Sequence, residues 1–321
     1  MPTYLNKQPE TFQAQFHRRW SHLNDPQVRD LAWLLDSPDL LDPQAPQWQG
    51  RIATLPVAGG KDAGDWLAAL DRAPAALHAW LDVQAFTRLG RYAEKLMAFY
   101  FEHQQTLVAH GLQVRTGKND TVGEFDFLLR QGDALLHWEF ATKFYLLESS
   151  GAGQEADYFI GPNLADTLAA KMRKILDRQL KLAQHPAAQI HLPQPVATAQ
   201  ALIKGWLFYH ALDPHPAQSL GISEAHCRGF WCAASELEGV ANEHYVVLPR
   251  LRWLAPARLA PEQSISKSVL QQALSLHFAQ DTMPVLVAVL AQQGAHMIEL
   301  DRGFVVPDDW RSRAGEYARR V

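Results

Sequence analysis

Two neighbouring segments constrain this chain more than anything else in it. Residues 121–130 (TVGEFDFLLR) and 134–146 (ALLHWEFATKFYL) alternate between apolar and polar positions. Only Gln131, Gly132 and Asp133 separate them. A period of two is the strand period, and a short glycine-bearing connection joins two strands into a hairpin. Strict alternation then assigns the faces. On the first strand Glu124, Asp126 and Leu128 share one side, and Phe125, Phe127 and Leu129 the other. On the second, Leu135, His137, Glu139, Ala141 and Lys143 oppose Leu136, Trp138, Phe140, Phe144 and Leu146. One face is aromatic and expected to meet the core. The other collects Glu124, Asp126, Glu139, His137 and Lys143.

That polar face has two readings. Antiparallel sheets often turn one side to water, and acids beside a lysine need no function there. Alternatively, carboxylates converging from adjacent strands suit Mg²⁺ or Mn²⁺, hard cations that take oxygen ligands. Such an ion lowers the pKa of bound water and neutralises charge developing on a phosphate. A lysine nearby adds electrostatic stabilisation.

The flanking sequence reads as follows. Phe12, Phe16 and Trp20 recur at helical spacing, and Asp25-Pro26 is an N-cap followed by proline at the first helical position. Residues 41–61 carry three prolines and Gly59-Gly60 and read as a loop. Short helices are expected at 66–70 and 74–81, and a long one over 83–105 with the stripe Phe86, Leu89, Ala93, Leu96, Tyr100. A strand is expected at 112–116, a polar loop at 148–157 and a helix over 164–184. Strands are then expected at 201–209, 228–234, 244–254, 284–291 and 297–306, with a helix near 266–278.

The segment GEFDFLLRQGDALLHWEFATK resembles the core of the PD-(D/E)XK nuclease superfamily, in which a strand ending in Asp is followed by a turn and a strand carrying Glu-x-Lys. The chain also resembles a bacterial domain-of-unknown-function family assigned to that superfamily, through 89–96, 122–182 and FVVPDDW near the C-terminus. The resemblance implies a restriction-endonuclease-like α/β core, a mixed sheet flanked by helices. It also implies Mg²⁺- or Mn²⁺-dependent hydrolysis of DNA or RNA. Asp126 and Glu139 would be metal ligands, with Glu124 assisting. Glu94, on the preceding helix, and Gln179, on the following one, stand where superfamily members place supporting residues. One position departs from the pattern. The lysine expected two residues after the glutamate is replaced by Ala141, and Lys143 lies four residues on. At ~3.3 Å per residue its root stands about 13 Å from Glu139 instead of about 7 Å. Lys143 would have to lean back, a bulge would have to shorten the path, or Lys171 would take its place. If none of these holds, the fold would serve as a module that binds nucleic acid or protein without cutting.

The segment KMRKILDRQLK supplies Lys171, Arg173, Lys174 and Arg178 as candidate phosphate contacts, or as an ordinary solvated helix face. Charge limits this reading: 30 Lys and Arg against 34 Asp and Glu exclude a uniformly basic surface, though not a basic groove. Six tryptophans (Trp66, Trp80, Trp138, Trp206, Trp231, Trp253) lie in apolar patterns and are assigned to the core. No apolar run is long enough for a membrane span, and MPTYLNKQPE lacks the form of a secretory leader. With Cys227 and Cys232 as the only cysteines, a reducing cytoplasm is expected. HExxH, the P-loop and the nucleophile elbow are all missing, which excludes those hydrolase types by motif. The expected organisation is a helical extension over 1–83, a nuclease-like core over 84–210, and an α/β extension of the same globular unit over 211–321.

Overall fold

The helices begin where local chemistry allows. The Thr11 hydroxyl accepts from Ala14 N at 3.3 Å and opens α1 (Phe12–Arg19). The Asp25 carboxylate accepts from the N–H groups of Gln27 and Val28 and opens α2 (Pro26–Asp36). There follow α3 (Lys61–Arg72), α4 (Ala75–Leu81) and α5 (Leu89–His103). The computed structural model describes residues 10–56, 61–82, 86–117, 120–148, 158–212, 221–240 and 242–320. Parts of the expected loop 41–61, the expected helix start at 83–85 and the loop residues 149–157 lie outside them.

The next elements are β1 (Leu107–Gly117), β2 (Asp120–Gln131), β3 (Ala134–Leu147), β4 (Phe159–Ile160), α6 (Leu168–Asp177), α7 (Pro186–Gln189) and β5 (Val196–His210). After them come β6 (Cys227–Ala233), β7 (His244–Val247), β8 (Arg258–Leu259), α8 (Lys267–Phe278), β9 (Val285–Gln293), β10 (His296–Val306) and α9 (Trp310–Ala318). The fold is mixed α/β. A single 10-stranded sheet runs β1-β2-β3-β5-β6-β10-β9-β7, with β4 beside β3 and β8 beside β10. The pairs β3–β5, β5–β6 and β6–β10 are parallel, and the wings are antiparallel. The C-terminal strands therefore extend the sheet that holds the hairpin.

Both faces of that sheet are covered, so the wet face considered above does not exist. On one side α1, α2 and α5 pack with Phe127, Leu129, Phe140, Phe144, Trp206 and Phe304. On the other, α6 packs over Tyr145, Leu147, Ile203 and Leu207. His137 and Glu139, expected on a polar face, are 0% and 1% exposed.

Several expected elements differ: the helix expected over 83–105 starts only at Leu89, leaving Phe86 outside it, and the strand expected at 201–209 starts at Val196. The helix of 164–184 starts late and breaks early: Thr167 caps it at Leu168, and after Asp177 the chain tightens to a 3₁₀ turn over Gln179–Gln184. The strand of 244–254 stops at Val247, because Pro249 has no N–H to continue a ladder and the chain turns into a 3₁₀ segment at Arg250–Arg252. The strand expected at 112–116 begins instead at Leu107.

A close approach fixes the register of β3 on β5. Gly205 pairs with Lys143, and a Cβ on Gly205 would lie 1.9 Å from the Lys143 carbonyl oxygen. Gly205→Ala should therefore push the two parallel strands apart. A loss above about 2 kcal/mol is expected in urea unfolding, toward the upper end for single substitutions. A loss under about 0.5 kcal/mol would show that the strands yield without cost.

A buried ion pair ties β10 to the segment 253–257 and to Trp206 of β5. Arg302 and Glu299, both 0% exposed, pair through Nε–Oε1 at 2.6 Å and Nη2–Oε2 at 2.9 Å. The guanidinium also donates to the carbonyls of Trp253, Leu254 and Ala255 and lies 4.1 Å from the centre of the Trp206 ring. Glu299 accepts in addition from Ala257 N at 2.7 Å. The pair is thus fully hydrogen-bonded, the condition under which a buried pair is tolerated.

Candidate metal centre and its cationic walls

The site forms where the hairpin opens. The β2–β3 ladder ends at Phe127↔Trp138. One residue further, the Asp126 carboxylate accepts from Phe140 N at 2.9 Å, so a side chain replaces the ladder and the strands fork. Strict alternation fails at the same point. Phe125 packs with Leu128 and Leu135 on one face, while Phe127 and Leu129 face the opposite core. The partner strand keeps its register from Ala109 to Val114 but changes its backbone conformation here. His110↔Phe127 and Leu112↔Phe125 flank Gly111, whose φ of 62° is readily reached only without a side chain. The face assignment expected for Phe125 is corrected accordingly.

Four acids gather at this fork. Oxygens of Glu94, Glu124 and Asp126 all lie within 4.8 Å of one another. Glu139 stands on the other side of Asp126, and the two carboxyl groups hydrogen-bond. Burial, and then the charge of Glu139, pushes Asp126 up to about 8. Burial pushes Glu139 up to about 7, opposed by the hydrogen bond from Asp126 and the charge of Lys171. Crowded carboxyls held above their ordinary range have the electrostatics of a site waiting for positive charge.

Each outer acid is oriented by neighbours. His110 Nε2 meets Glu94 Oε1 at 2.9 Å, and Arg91 Nη1 reaches Glu124 Oε1 at 3.1 Å and Glu94 Oε1 at 3.8 Å. His137 Nε2 meets Glu139 Oε1 at 2.9 Å, and the Gln179 amide donates to Glu139 Oε2. Burial lowers His137 to about 4, so the neutral ring presents its Nε2–H to the carboxylate. Gln179, expected to need a partner inside its helix, finds one in Glu139 from the 3₁₀ turn instead.

The donor set fits a hard divalent cation. It offers carboxylate oxygens only, with no thiolate and no imidazole nitrogen aimed inward. The buried Gln179 Oε1 has no hydrogen-bond partner and lines the same cavity, which adds one more neutral oxygen at its wall.

That cavity has a volume of about 1040 Å³ and is lined by Glu94, Glu124, Asp126, Glu139, Lys143, Lys171, Lys174, Arg178 and Gln179, but not by His137 or Arg173. Arg173 is exposed on α6, outside it. Lys143 does line the cavity, but the charges acting on it are those of Lys171, Asp166 and Lys174, and burial lowers it to about 8. No bulge shortens its path to Glu139: the β3–β5 register runs unbroken from Leu136 to Leu146. Lys171 is the cation whose charge acts most on Glu139.

Sequence reasoning placed His137 on the polar face without giving it a role, and missed His110, Arg91, Arg88 and Arg250 as site residues. The pair His137-x-Glu139 on one strand face was a usable signal. His110 was hidden by starting β1 too late, and Arg250 by distance along the chain.

Among the described residues, no helix is long and apolar enough to cross a membrane, and both cysteines are free and buried. No curated protein and no solved structure matches the chain. A family model, Domain of unknown function (DUF1853), matches residues 29–306, and the chain belongs to that family.

Proposed function

We propose that this protein is a Mg²⁺- or Mn²⁺-dependent nuclease of PD-(D/E)XK type that hydrolyses phosphodiester bonds in DNA or RNA. One observation carries the proposal: crowded acids and unpaired cations share one cavity. Glu94, Glu124, Asp126 and Glu139 line it, as do Arg88, Lys143, Lys171, Lys174, Arg178 and Arg250. Among the described residues none of these six cations has a side-chain hydrogen bond or ion pair. A phosphodiester is a ligand that satisfies both halves, with its anionic oxygens on the cations and a cation between it and the acids. The succession of helix α5, hairpin and helix α6 supports a restriction-endonuclease-like core.

Glu94, Glu124 and Asp126 would hold the ion with Glu139 beside them, and the bound ion would offset charge developing on phosphoryl oxygens. His137 and Gln179 hold both Glu139 oxygens in place. Arg91 bridges Glu94 and Glu124. Lys171 places its ammonium where the phosphate must pass and takes the electrostatic part that the superfamily pattern gives to the hairpin lysine. Lys143, lowered to about 8 by burial and by Lys171, can hold or release a proton at Nζ near neutral pH.

The test is cleavage of labelled single-stranded DNA, duplex DNA, branched DNA and RNA in Mg²⁺ and Mn²⁺. Lys171→Ala should lower the rate about 100-fold or more, as expected for removal of one transition-state donor. A larger loss in Lys143→Ala than in Lys171→Ala would return the role to the hairpin lysine. Wild-type protein that cuts none of these substrates overturns the catalytic reading. The second reading, a non-cutting module that binds nucleic acid or protein, then takes over. It is favoured by Lys143, which feels the charges of Lys171, Asp166 and Lys174 rather than those of Glu94, Glu124, Asp126 and Glu139.

A further inference from the structure

Arg88 and Arg250 come from elements that lie apart in sequence, yet they line the same cavity as the acids. Arg88 is the N-cap position of α5, and Arg250 opens the 3₁₀ segment Arg250–Arg252, which packs against α5. Both are exposed. Arg250 is steadied by Trp253, its guanidinium 5.6 Å from the ring centre. Trp253 is itself fixed, with its ring against Phe144 and Phe304 and its indole N–H donating to Leu248 O at 2.9 Å.

The backbone of this wall is tied down from two directions. The buried Asp30 accepts from Tyr92 Oη of α5 at 2.8 Å and from Ala255 N at 3.3 Å. Arg302 binds the carbonyls of Trp253, Leu254 and Ala255 from below. The two arginines therefore sit on a rigid scaffold, as a binding subsite requires. They also sit opposite the α6 cations. The α5 side of the sheet carries Arg88 and Arg250, the α6 side carries Lys171, Lys174 and Arg178, and the acids lie between at the fork.

We infer that Arg88 and Arg250 form a phosphate subsite for a single-stranded polynucleotide, whose chain crosses the acids from one wall to the other. The inference rests on the nuclease reading and adds the substrate class. The size of the cavity is what suggests an unpaired strand. About 1040 Å³ lies at the upper end of the range for small-molecule pockets, which accommodates a short unpaired stretch.

The experiment uses fluorescence anisotropy of the full chain with short phosphorothioate-linked oligonucleotides in Mg²⁺: single-stranded DNA, single-stranded RNA and duplex DNA. Wild type should bind the single strands at least about tenfold more tightly than the duplex. The Arg88→Glu, Arg250→Glu double variant should lose at least about tenfold in single-strand affinity. The slope of log K against log salt should shrink by about 1.4, at ~0.7 per single-strand phosphate contact. Its melting temperature should match wild type, since both side chains are exposed. Equal single-strand affinity of variant and wild type overturns the inference, as does duplex binding as tight as single-strand binding. A wild type that cleaves while the variant binds unchanged removes the subsite and leaves the nuclease. A wild type that never cleaves, but binds single strands through these arginines, keeps the subsite and removes the nuclease.

Discussion

Asp126→Asn should abolish the divalent-ion response of this protein and remove the Asp126 share of the stability expected to be lost in EDTA as pH rises from about 4 to 8. The two effects share one cause. In the folded chain Asp126 is raised to about 8, by burial and then by the charge of Glu139, and Glu139 to about 7 by burial, against the lowering effect of Asp126 and Lys171. A carboxyl raised in the folded state stabilises the fold in its protonated form. That contribution is complete below the unfolded values, near pH ~4, and is lost as pH rises through the folded ones. Between about pH 4 and 8, each titrating group removes up to about 1.4 kcal/mol per pH unit. Wild type in EDTA should therefore melt progressively lower across that window. Saturating Mg²⁺ or Mn²⁺ should raise the melting temperature by mass action and flatten the slope, by supplying the charge that the acids lack. Asn at position 126 can still accept the Phe140 N–H through its amide oxygen, so the fork should survive. The measurement is circular-dichroism melting across pH, with and without the ions. Identical profiles in wild type and Asp126→Asn would remove the carboxylate cluster as a metal centre.

The largest effect on folding is expected at Arg302. Arg302→Ala leaves Glu299 buried without its cation and withdraws the donors that serve the carbonyls of Trp253, Leu254 and Ala255. Breaking one side of a buried pair costs about 3–5 kcal/mol. The double variant Arg302→Met, Glu299→Leu should recover part of that loss, because apolar replacement of both partners removes the uncompensated charge. Urea unfolding of the three proteins measures this directly. A single-variant loss below about 1 kcal/mol would mean that water reaches the pair. The effect should extend to the cavity, since Arg302 holds the backbone that carries Trp253 and steadies Arg250.

Local sequence determined more of this protein than its low motif content suggests. The alternation of 121–130 and 134–146 specified the hairpin, because a period of two is a property of the strand backbone and needs no partner. Asp25-Pro26 specified the start of α2 for a similar reason: a cap bonds within three residues of itself. The acids of the site were legible too, because carboxylates on alternating strand positions stand out against aromatic neighbours. Tertiary structure decided the rest. Whether the polar face met water depended on α6 and the 3₁₀ turn folding back over it, a long-range choice that leaves no local trace. The fork at Asp126 has Gly111 opposite it on another strand, with a φ of 62° that favours glycine. His110 joined Glu94, His137 and Gln179 joined Glu139, and Lys171 rather than Lys143 acts on Glu139, because side-chain geometry across elements sets these partnerships. Arg250 lies more than a hundred residues from the hairpin and reaches the cavity only because Asp30 and Arg302 anchor the backbone around it. Short-range periodicity fixes which element forms; burial and electrostatic pairing between distant elements fix what each side chain can do.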